Sequence, residues 1–182
     1  MIITISGDPG SGKSTVAKAI AQQLNLKHFS SGDFMRGLAK EKGKTLLELC
    51  KLAENNPEID KEIDLRNKKL AEKEDDFVID SRLAWYFMPN SIKIYLKCNV
   101  EEAAKRVFLR KQKGDEENIT LEKTKENIIK REKSEIERYQ KYYGINLKDE
   151  SNYDLVIDTT NQTKEEVIKK VLEWIAQKSK KD

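Results

Sequence analysis

Residues 1–15 read MIITISGDPGSGKST, and this stretch decides the fold. Met1 to Ser6 is an apolar run rich in β-branched residues, which predicts a buried strand. Gly7 to Ser14 matches the pattern GxxxxGK followed by serine or threonine. From Ser14 to Leu26, apolar residues recur at helical spacing. A glycine-rich loop between a strand and a helix is the context in which this pattern binds nucleotide phosphates.

Each part of this loop has a chemical reason. Glycines let the backbone N–H groups turn toward a phosphate, and the helix N-terminus adds a positive dipole end. Lys13 can reach the β- and γ-phosphates, and the Ser14 hydroxyl can bind Mg²⁺. A glycine-rich turn that merely precedes a helix is the alternative, and the length of the match argues against it. We expect ATP to be bound by Gly7, Asp8, Pro9, Gly10, Ser11, Gly12, Lys13, Ser14 and Thr15.

The rest of the chain alternates strands and helices. Four further short apolar runs predict strands at residues 27–31, 77–80, 92–97 and 153–158. Helical patterns separate them, so we predict a doubly wound α/β fold whose five-stranded parallel sheet has the order 2-3-1-4-5 and is flanked by helices. The block between the second and third strands holds two or three helices, one of them starting at Pro57. Val100 to Gln112 and a long segment from Thr120 are also predicted to be helical, with a short polar break between them, and a last amphipathic helix follows Thr163.

Composition limits the possible functions. The chain has 182 residues, enough for one domain, and a net charge of +3, which is too small for binding nucleic acid chiefly through charge. No basic stretch leads into an apolar segment at the N-terminus. We therefore expect a cytoplasmic protein with small-molecule substrates and no nucleic-acid or membrane partner. We also expect a monomer, although composition does not determine the oligomeric state. Cys50 and Cys98 are interpreted as buried free thiols, and the lone His28 as a packed side chain without a chemical role.

The absence of certain motifs excludes several classes of nucleotide-binding protein. The DxxG and NKxD strings of switch GTPases do not occur, nor does an LSGGQ-like transporter signature. A helicase would need a further domain. A small kinase remains, and such an enzyme needs arginines in separate places to hold a second substrate and to neutralise the transferred group.

Three groups of residues meet that need. Ser30 to Arg36 (SSGDFMR) follows the second strand, and Phe77 to Arg82 (FVIDSR) includes the third strand, whose carboxyl end presents Asp80. Four arginines lie on the predicted helices near the polar break: Arg106, Arg110, Arg131 and Arg138. Taken singly, each arginine could be an ordinary surface or turn residue. The aromatic residues at 85–87 could line a base pocket, but core packing explains them better.

With these motifs, the chain resembles nucleoside monophosphate kinases along its whole length, in particular the short archaeal type of cytidylate kinase. The resemblance implies a single kinase domain, residues 1–182. Its core would comprise residues 1–30, 76–104 and 150–178, with a monophosphate-binding helical insert at 31–75 and a short, metal-free lid region at 105–138. The implied reaction moves the γ-phosphoryl group of ATP to CMP or dCMP with Mg²⁺ as cofactor.

The resemblance also implies residue roles. Lys13, Arg106, Arg110 and Arg131 would be catalytic, and Ser14 and Asp80 would hold the metal ion. Glu135 would accept a hydrogen bond from the cytosine amine. Together with it, the monophosphate would be bound by Asp33, Arg36, Asp80, Arg82 and Arg138.

Two kinds of alternative stay open on the sequence. One is another small kinase on the same scaffold, such as an adenylate kinase or a shikimate-like kinase. The other is an ATP-binding assembly factor without kinase activity, which the near-neutral charge and the many arginines argue against.

Overall fold

The computed structural model describes residues 1–110 and 119–178, and its centre is one parallel sheet. The strands lie in the order β2-β3-β1-β4-β5, which confirms the predicted order. Four of the strands agree with the predicted bounds to within one residue at both ends. The strands are β1 (Ile2–Gly7), β2 (Lys27–Ser30), β3 (Phe77–Asp80), β4 (Ile92–Lys97) and β5 (Leu155–Asp158). The fifth strand starts later than predicted, because residues 150–152 form a 3₁₀ turn that Asp149 caps and Tyr153 closes.

Helices cover the sheet and fill the predicted insert. They are α1 (Lys13–Gln23), α2 (Ser31–Glu41), α3 (Leu46–Asn55), α4 (Pro57–Lys73), α5 (Ala84–Phe87), α6 (Val100–Arg110), α7 (Leu121–Tyr143) and α8 (Lys164–Lys178). The one-turn helix α5 was not predicted from the sequence. The predicted polar break at residues 113–118 lies outside the described residues.

The main core surrounds β1 at the centre of the sheet. Ile3 and Ile5 are fully buried, as expected for a parallel strand covered on both faces. Apolar side chains of α1 and α8, including Ile20 and Val171, pack in the same cluster. Cys50 and Cys98 are buried free thiols, as predicted. Within the described parts of the chain, no helix is both long and apolar enough to span a bilayer.

The insert, residues 31–75, has a core of its own. Met35, Leu38, Leu49 and Ile63 belong to one buried cluster formed by α2, α3 and α4. Its helices begin at polar caps, and the Ser30 hydroxyl caps α2 by accepting from the backbone N–H of Asp33. Ser30 is therefore the N-cap of this helix, and Asp33 lies in its first turn. Helix α3 also packs against α7, which connects the insert to the other side of the site.

All five strands point the same way, so their carboxyl ends form one edge. The register pairs Ser30 with Asp80 and Gly7 with Leu96 along this edge. In open parallel sheets, ligands bind outside this edge. The loop after β1 and the start of α2 meet there.

Candidate active site

The loop Gly7–Ser14, called the nucleotide loop below, depends on glycine. Gly7, Gly10 and Gly12 all have positive φ, a conformation that residues with a Cβ rarely adopt. A Cβ on Gly7 would lie 2.2 Å from the Leu96 carbonyl oxygen, and one on Gly10 would lie 2.7 Å from the Ala103 backbone. The loop therefore packs tightly between β4 and α6. Gly12 adopts a left-handed backbone conformation and is the N-cap of α1.

Lys13 is folded back onto this loop. Its ammonium donates to the carbonyl oxygens of Gly7, at 3.0 Å, and Asp8, at 2.7 Å. Burial, reinforced by the nearby Arg82 guanidinium, holds the pKa of Lys13 well below its usual value. The side chain lies in the wall of the main cavity at the carboxyl edge of the sheet.

Asp80 connects three elements at the end of β3. Its Oδ1 accepts from the hydroxyls of Ser14, at 2.8 Å, and Ser30, at 2.9 Å, while its Oδ2 lies 2.8 Å from His28 Nε2. Burial acts to raise the pKa of Asp80, but the hydrogen bonds from His28, Ser14 and Ser30 lower it below the usual value. The carboxylate is therefore ionised at neutral pH.

The contact of His28 with Asp80 corrects the interpretation of His28 as a merely packed residue. Because Ser30 pairs with Asp80 across the sheet, the alternation of side chains along β2 puts His28 on the same face as Ser30. The strand order and the register together predict that His28 lies beside Asp80. The isolated histidine in the sequence does not.

The same group of oxygen atoms suits a magnesium ion. A hydroxyl and an ionised carboxylate 2.8 Å apart at the rim of a phosphate-binding loop are hard oxygen ligands of the kind that Mg²⁺ prefers. The predicted metal ligands Ser14 and Asp80 are thus brought together in a way that fits the ion.

Glu135 lies between two arginines, and Arg82, Arg131 and Glu135 are called the arginine–glutamate cluster below. Arg82 Nε is 2.7 Å from Glu135 Oε2, and Arg131 Nε donates to Oε1 at 2.9 Å. The Arg82 guanidinium also donates to the Gly7 carbonyl oxygen. Burial acts to raise the pKa of Glu135, but Arg82, Arg131 and Arg138 lower it to about 2. Glu135 thereby orients two guanidinium groups beside the nucleotide loop.

Arg138, which follows Glu135 on α7, is held by residues of the insert. Its guanidinium forms an ion pair with Asp60 at 2.8 Å and donates to Ser134 Oγ at 2.7 Å. It is 3% exposed and also donates to the Cys50 carbonyl oxygen at 3.3 Å. One side chain of α7 thus connects to both α3 and α4.

The cavity at the edge of the sheet gathers most of the predicted site. It is lined by the nucleotide loop, the end of β3, helices α2 to α4, and helices α6 and α7. Twelve predicted site residues line it: Pro9, Gly10, Gly12, Lys13, Ser14, Thr15, Asp80, Arg82, Arg110, Arg131, Glu135 and Arg138. The insert adds apolar side chains and two polar ones, Asp64 and Asn67, that the sequence analysis did not single out.

Six predicted residues do not line this cavity: Gly7, Asp8, Ser11, Asp33, Arg36 and Arg106. Arg106 and Arg110 do not act as a pair here, because the Arg106 guanidinium donates to the carbonyl oxygens of Thr159 and Thr160 and to Glu102. Arg36 forms an ion pair with Asp33 at 2.5 Å, on the first turns of α2.

Asp8 supports the loop from behind. Its carboxylate accepts from the Tyr95 hydroxyl at 2.7 Å, the Cys98 N–H at 2.9 Å and the Lys148 ammonium at 2.5 Å. Lys148 also forms an ion pair with Glu132 on α7 at 2.6 Å. The Asp8 side chain therefore holds the loop in place and does not line the cavity. Tyr95 and Lys148 were missed because nothing in the sequence connects them with residue 8.

The charge of Glu135 should appear in the acid stability of the protein. Its pKa is lowered from 4.5 to about 2, so its contribution is complete above about pH 4.5 and is lost as the pH falls toward 2. We expect Glu135→Gln to unfold at lower denaturant concentration than wild type at neutral pH, with the difference shrinking as the pH approaches about 3. Glu137→Gln, an exposed change on the same helix, should show no such trend. A difference that stays constant from neutral pH to about 3 would contradict the ionised cluster.

The comparisons with known proteins agree with this geometry. The model of the cytidylate kinase-like family matches residues 2–161. A cytidylate kinase from Sulfurisphaera tokodaii is 44% identical over 171 residues, covering 93% of this chain and 92% of that protein. One from Methanocaldococcus jannaschii is 44% identical over 165 residues, covering 88% and 89%.

The solved structures that match establish the fold alone. Shikimate kinase from Bacteroides thetaiotaomicron superimposes with a TM-score of 0.65 at 16% identity, covering 97% of this chain and 98% of that one. Shikimate kinase from Aquifex aeolicus gives 0.55 at 21% identity, with 98% of each chain covered.

Proposed function

This chain belongs to the cytidylate kinase-like family, and from that premise we propose that it transfers the γ-phosphoryl group of ATP to CMP or dCMP, yielding ADP and CDP or dCDP. The observation that carries the proposal is the single cavity between the nucleotide loop and the insert, as far as the described residues define it. A donor phosphate at the loop and an acceptor phosphate beside α2 to α4 would meet there. The acceptor is already an anionic phosphate oxygen, so the reaction needs positioning and charge neutralisation rather than a strong base.

The cationic groups divide between the two substrates. Lys13, Arg110 and Arg131 line the cavity and would neutralise charge on the transferred phosphoryl group. Arg82 and Arg138 are held by Glu135 and Asp60, and would orient the acceptor phosphate with the help of Arg36. Arg106 would hold the loop after β5 beside the nucleotide loop, as its bonds to Thr159 and Thr160 suggest.

The metal site would be Ser14 and Asp80. A magnesium ion held by these two residues would offset the negative charge of the ATP phosphates. Asp80 is kept ionised by His28, Ser14 and Ser30, and would hold the ion directly or through bound water.

The division into a core, an insert at 31–75 and a lid region at 105–138 remains part of this proposal. So do a cytoplasmic location, a monomeric state and small-molecule substrates alone. The net charge of +3 supports only the last of these, because it is too small for nucleic-acid binding chiefly through charge. Residues 111–118 of the lid region lie outside the described residues.

Product analysis tests the reaction directly. Incubation with ATP, CMP and Mg²⁺ should form ADP and CDP in equal amounts, and an excess of EDTA should stop both. ADP formed without CDP would indicate an ATPase and would contradict the proposal. CDP formed at the full rate in EDTA would overturn the metal site alone.

A further inference from the structure

The part of the cavity wall that the insert supplies carries two unusual polar residues. Asp64 and Asn67 are buried, and they lie three positions apart on α4, a spacing that puts them on one face of the helix. Both line the cavity, together with the apolar side chains of Met35, Leu47 and Ile63. Apolar walls with a few fixed polar groups are typical of a small-molecule site.

Asn67 has a donor without a partner. Its side-chain oxygen accepts from the Ser31 hydroxyl at 3.2 Å, and the residue is 3% exposed. Among the described residues, its amide nitrogen Nδ2 has no hydrogen-bond partner. A buried polar group left unpaired destabilises the fold, so an unpaired donor in the wall of a cavity points to a ligand that carries an acceptor.

One carboxylate oxygen of Asp64 accepts no hydrogen bond from the described residues. Its Oδ2 accepts from the Tyr143 hydroxyl, and no described residue donates to Oδ1. A donor from a ligand would satisfy that oxygen. Side by side, Asp64 and Asn67 therefore present one acceptor and one donor to the cavity.

We infer that Asp64 and Asn67 recognise the polar edge of cytosine, an inference that rests on the proposed function. The Asp64 carboxylate accepts from the exocyclic amine, and the Asn67 amide donates to the ring nitrogen or the carbonyl oxygen beside it. Uracil has a carbonyl in place of the amine, which a carboxylate repels. A site built to bond one of these groups rejects the analogue that lacks it.

This assignment replaces the expectation that Glu135 binds the cytosine amine. Both oxygens of Glu135 face arginines, Arg131 at 2.9 Å and Arg82 at 2.7 Å. A base would have to compete with two guanidinium groups for that carboxylate. Asp64 has no arginine partner in the described structure, and the charged groups that shift its pKa are Asp60 and Lys68.

The test measures kcat/KM for CMP and UMP in wild type and in Asp64→Asn. The amide keeps the shape but can donate to the uracil carbonyl, so we expect the CMP to UMP ratio to fall by about tenfold or more, the value of a hydrogen bond to a charged group. Glu62→Gln removes an exposed carboxylate from the same helix and should leave the ratio unchanged.

A second variant tests the donor. Asn67→Ala should raise KM for CMP by about fivefold with a smaller change in kcat, because it removes a contact made in ground state and transition state alike. An equal fall in kcat and kcat/KM would instead indicate that Asn67 acts on the transferred phosphoryl group in the transition state. That result would overturn the part of the inference that concerns Asn67.

The pH dependence distinguishes base recognition from a purely structural Asp64. Burial, with Asp60 adding to it, raises the pKa of Asp64 to about 6, against hydrogen bonding from Tyr143 on α7 and the charge of Lys68. The protonated acid can donate to uracil, so the wild-type CMP to UMP ratio should rise from about pH 5 to about pH 7. Titration of the acceptor phosphate affects both substrates and cancels in the ratio. Asp64→Asn should give a flat profile.

The outcomes separate the two proposals. If CMP is a good acceptor but its ratio to UMP is unchanged in Asp64→Asn, the inference is wrong and the proposed function stands. If wild type does not phosphorylate CMP, the proposed function fails, and the inference fails with it.

Discussion

Lys13→Ala should lower kcat for phosphoryl transfer by at least about 10²–10³-fold, the usual cost of removing one preorganised donor to a developing negative charge. The Lys13 ammonium is held at the nucleotide loop by the carbonyl oxygens of Gly7 and Asp8. The lowered pKa of Lys13 means that folding disfavours its charge, so its loss should not reduce the free energy of unfolding.

Lys18→Ala is the matched control for this variant. Lys18 lies on the same helix, α1, and its side chain is exposed. Both variants should unfold at the denaturant concentration of wild type, and Lys18→Ala should keep wild-type kcat. If Lys13→Ala retains more than about a tenth of the wild-type rate, the assignment of the nucleotide loop is wrong.

Asp60→Ala should lower the free energy of unfolding by about 3–5 kcal/mol, which equilibrium denaturation in urea measures. Asp60 and Arg138 form an ion pair at 2.8 Å and are 1% and 3% exposed. Removal of the carboxylate leaves the guanidinium buried with only Ser134 and the Cys50 carbonyl as partners among the described residues. The main cost is a buried guanidinium that has lost its ion-pair partner.

Two further variants isolate that cause. Glu58→Ala, two positions away on the same helix, breaks an exposed ion pair with Lys61 and should cost less than about 1 kcal/mol. Asp60→Leu combined with Arg138→Met removes both charges and should recover most of the lost stability. If Asp60→Ala costs no more than Glu58→Ala, the pair does not hold the insert against α7.

Features local in sequence could be predicted well. Short apolar runs located four strands to within one residue, and the loop between β1 and α1 followed from its glycines and Lys13. Both depend on neighbouring residues. Helix α5 was missed because one turn of helix has too little periodicity to detect, and β5 was started early because Tyr153 has high strand propensity.

Contacts distant in sequence could not be predicted. The Arg138–Asp60 pair spans 78 residues, and the His28–Asp80 contact spans 52. Arg106 and Arg110 lie four positions apart on α6, a spacing typical of one helix face, yet Arg106 donates to the loop after β5 while Arg110 lines the cavity. The choice depends on which carbonyl oxygens lie within reach, and that is a property of the assembled sheet.

Asp64 and Asn67 illustrate the same limit. In the sequence they belong to a charged stretch, EIDKEIDLRNKK, that is typical of an ordinary solvated helix. The two residues are candidates for base recognition because they are buried. Their burial depends on the packing of α4 against α2 and α3 and on the position of α7 across the cavity. Burial turns an unremarkable amide into a donor that needs a partner.

The identity of the acceptor is tested most directly by one assay. Turnover of ATP should be measured with wild-type enzyme and each of AMP, CMP, dCMP, UMP, GMP and shikimate, coupled to ADP formation. We expect CMP or dCMP to give the highest kcat/KM, with UMP lower by about tenfold or more. If AMP or shikimate is the best acceptor, or if ADP forms at the same rate without any acceptor, the enzyme is not a cytidylate kinase.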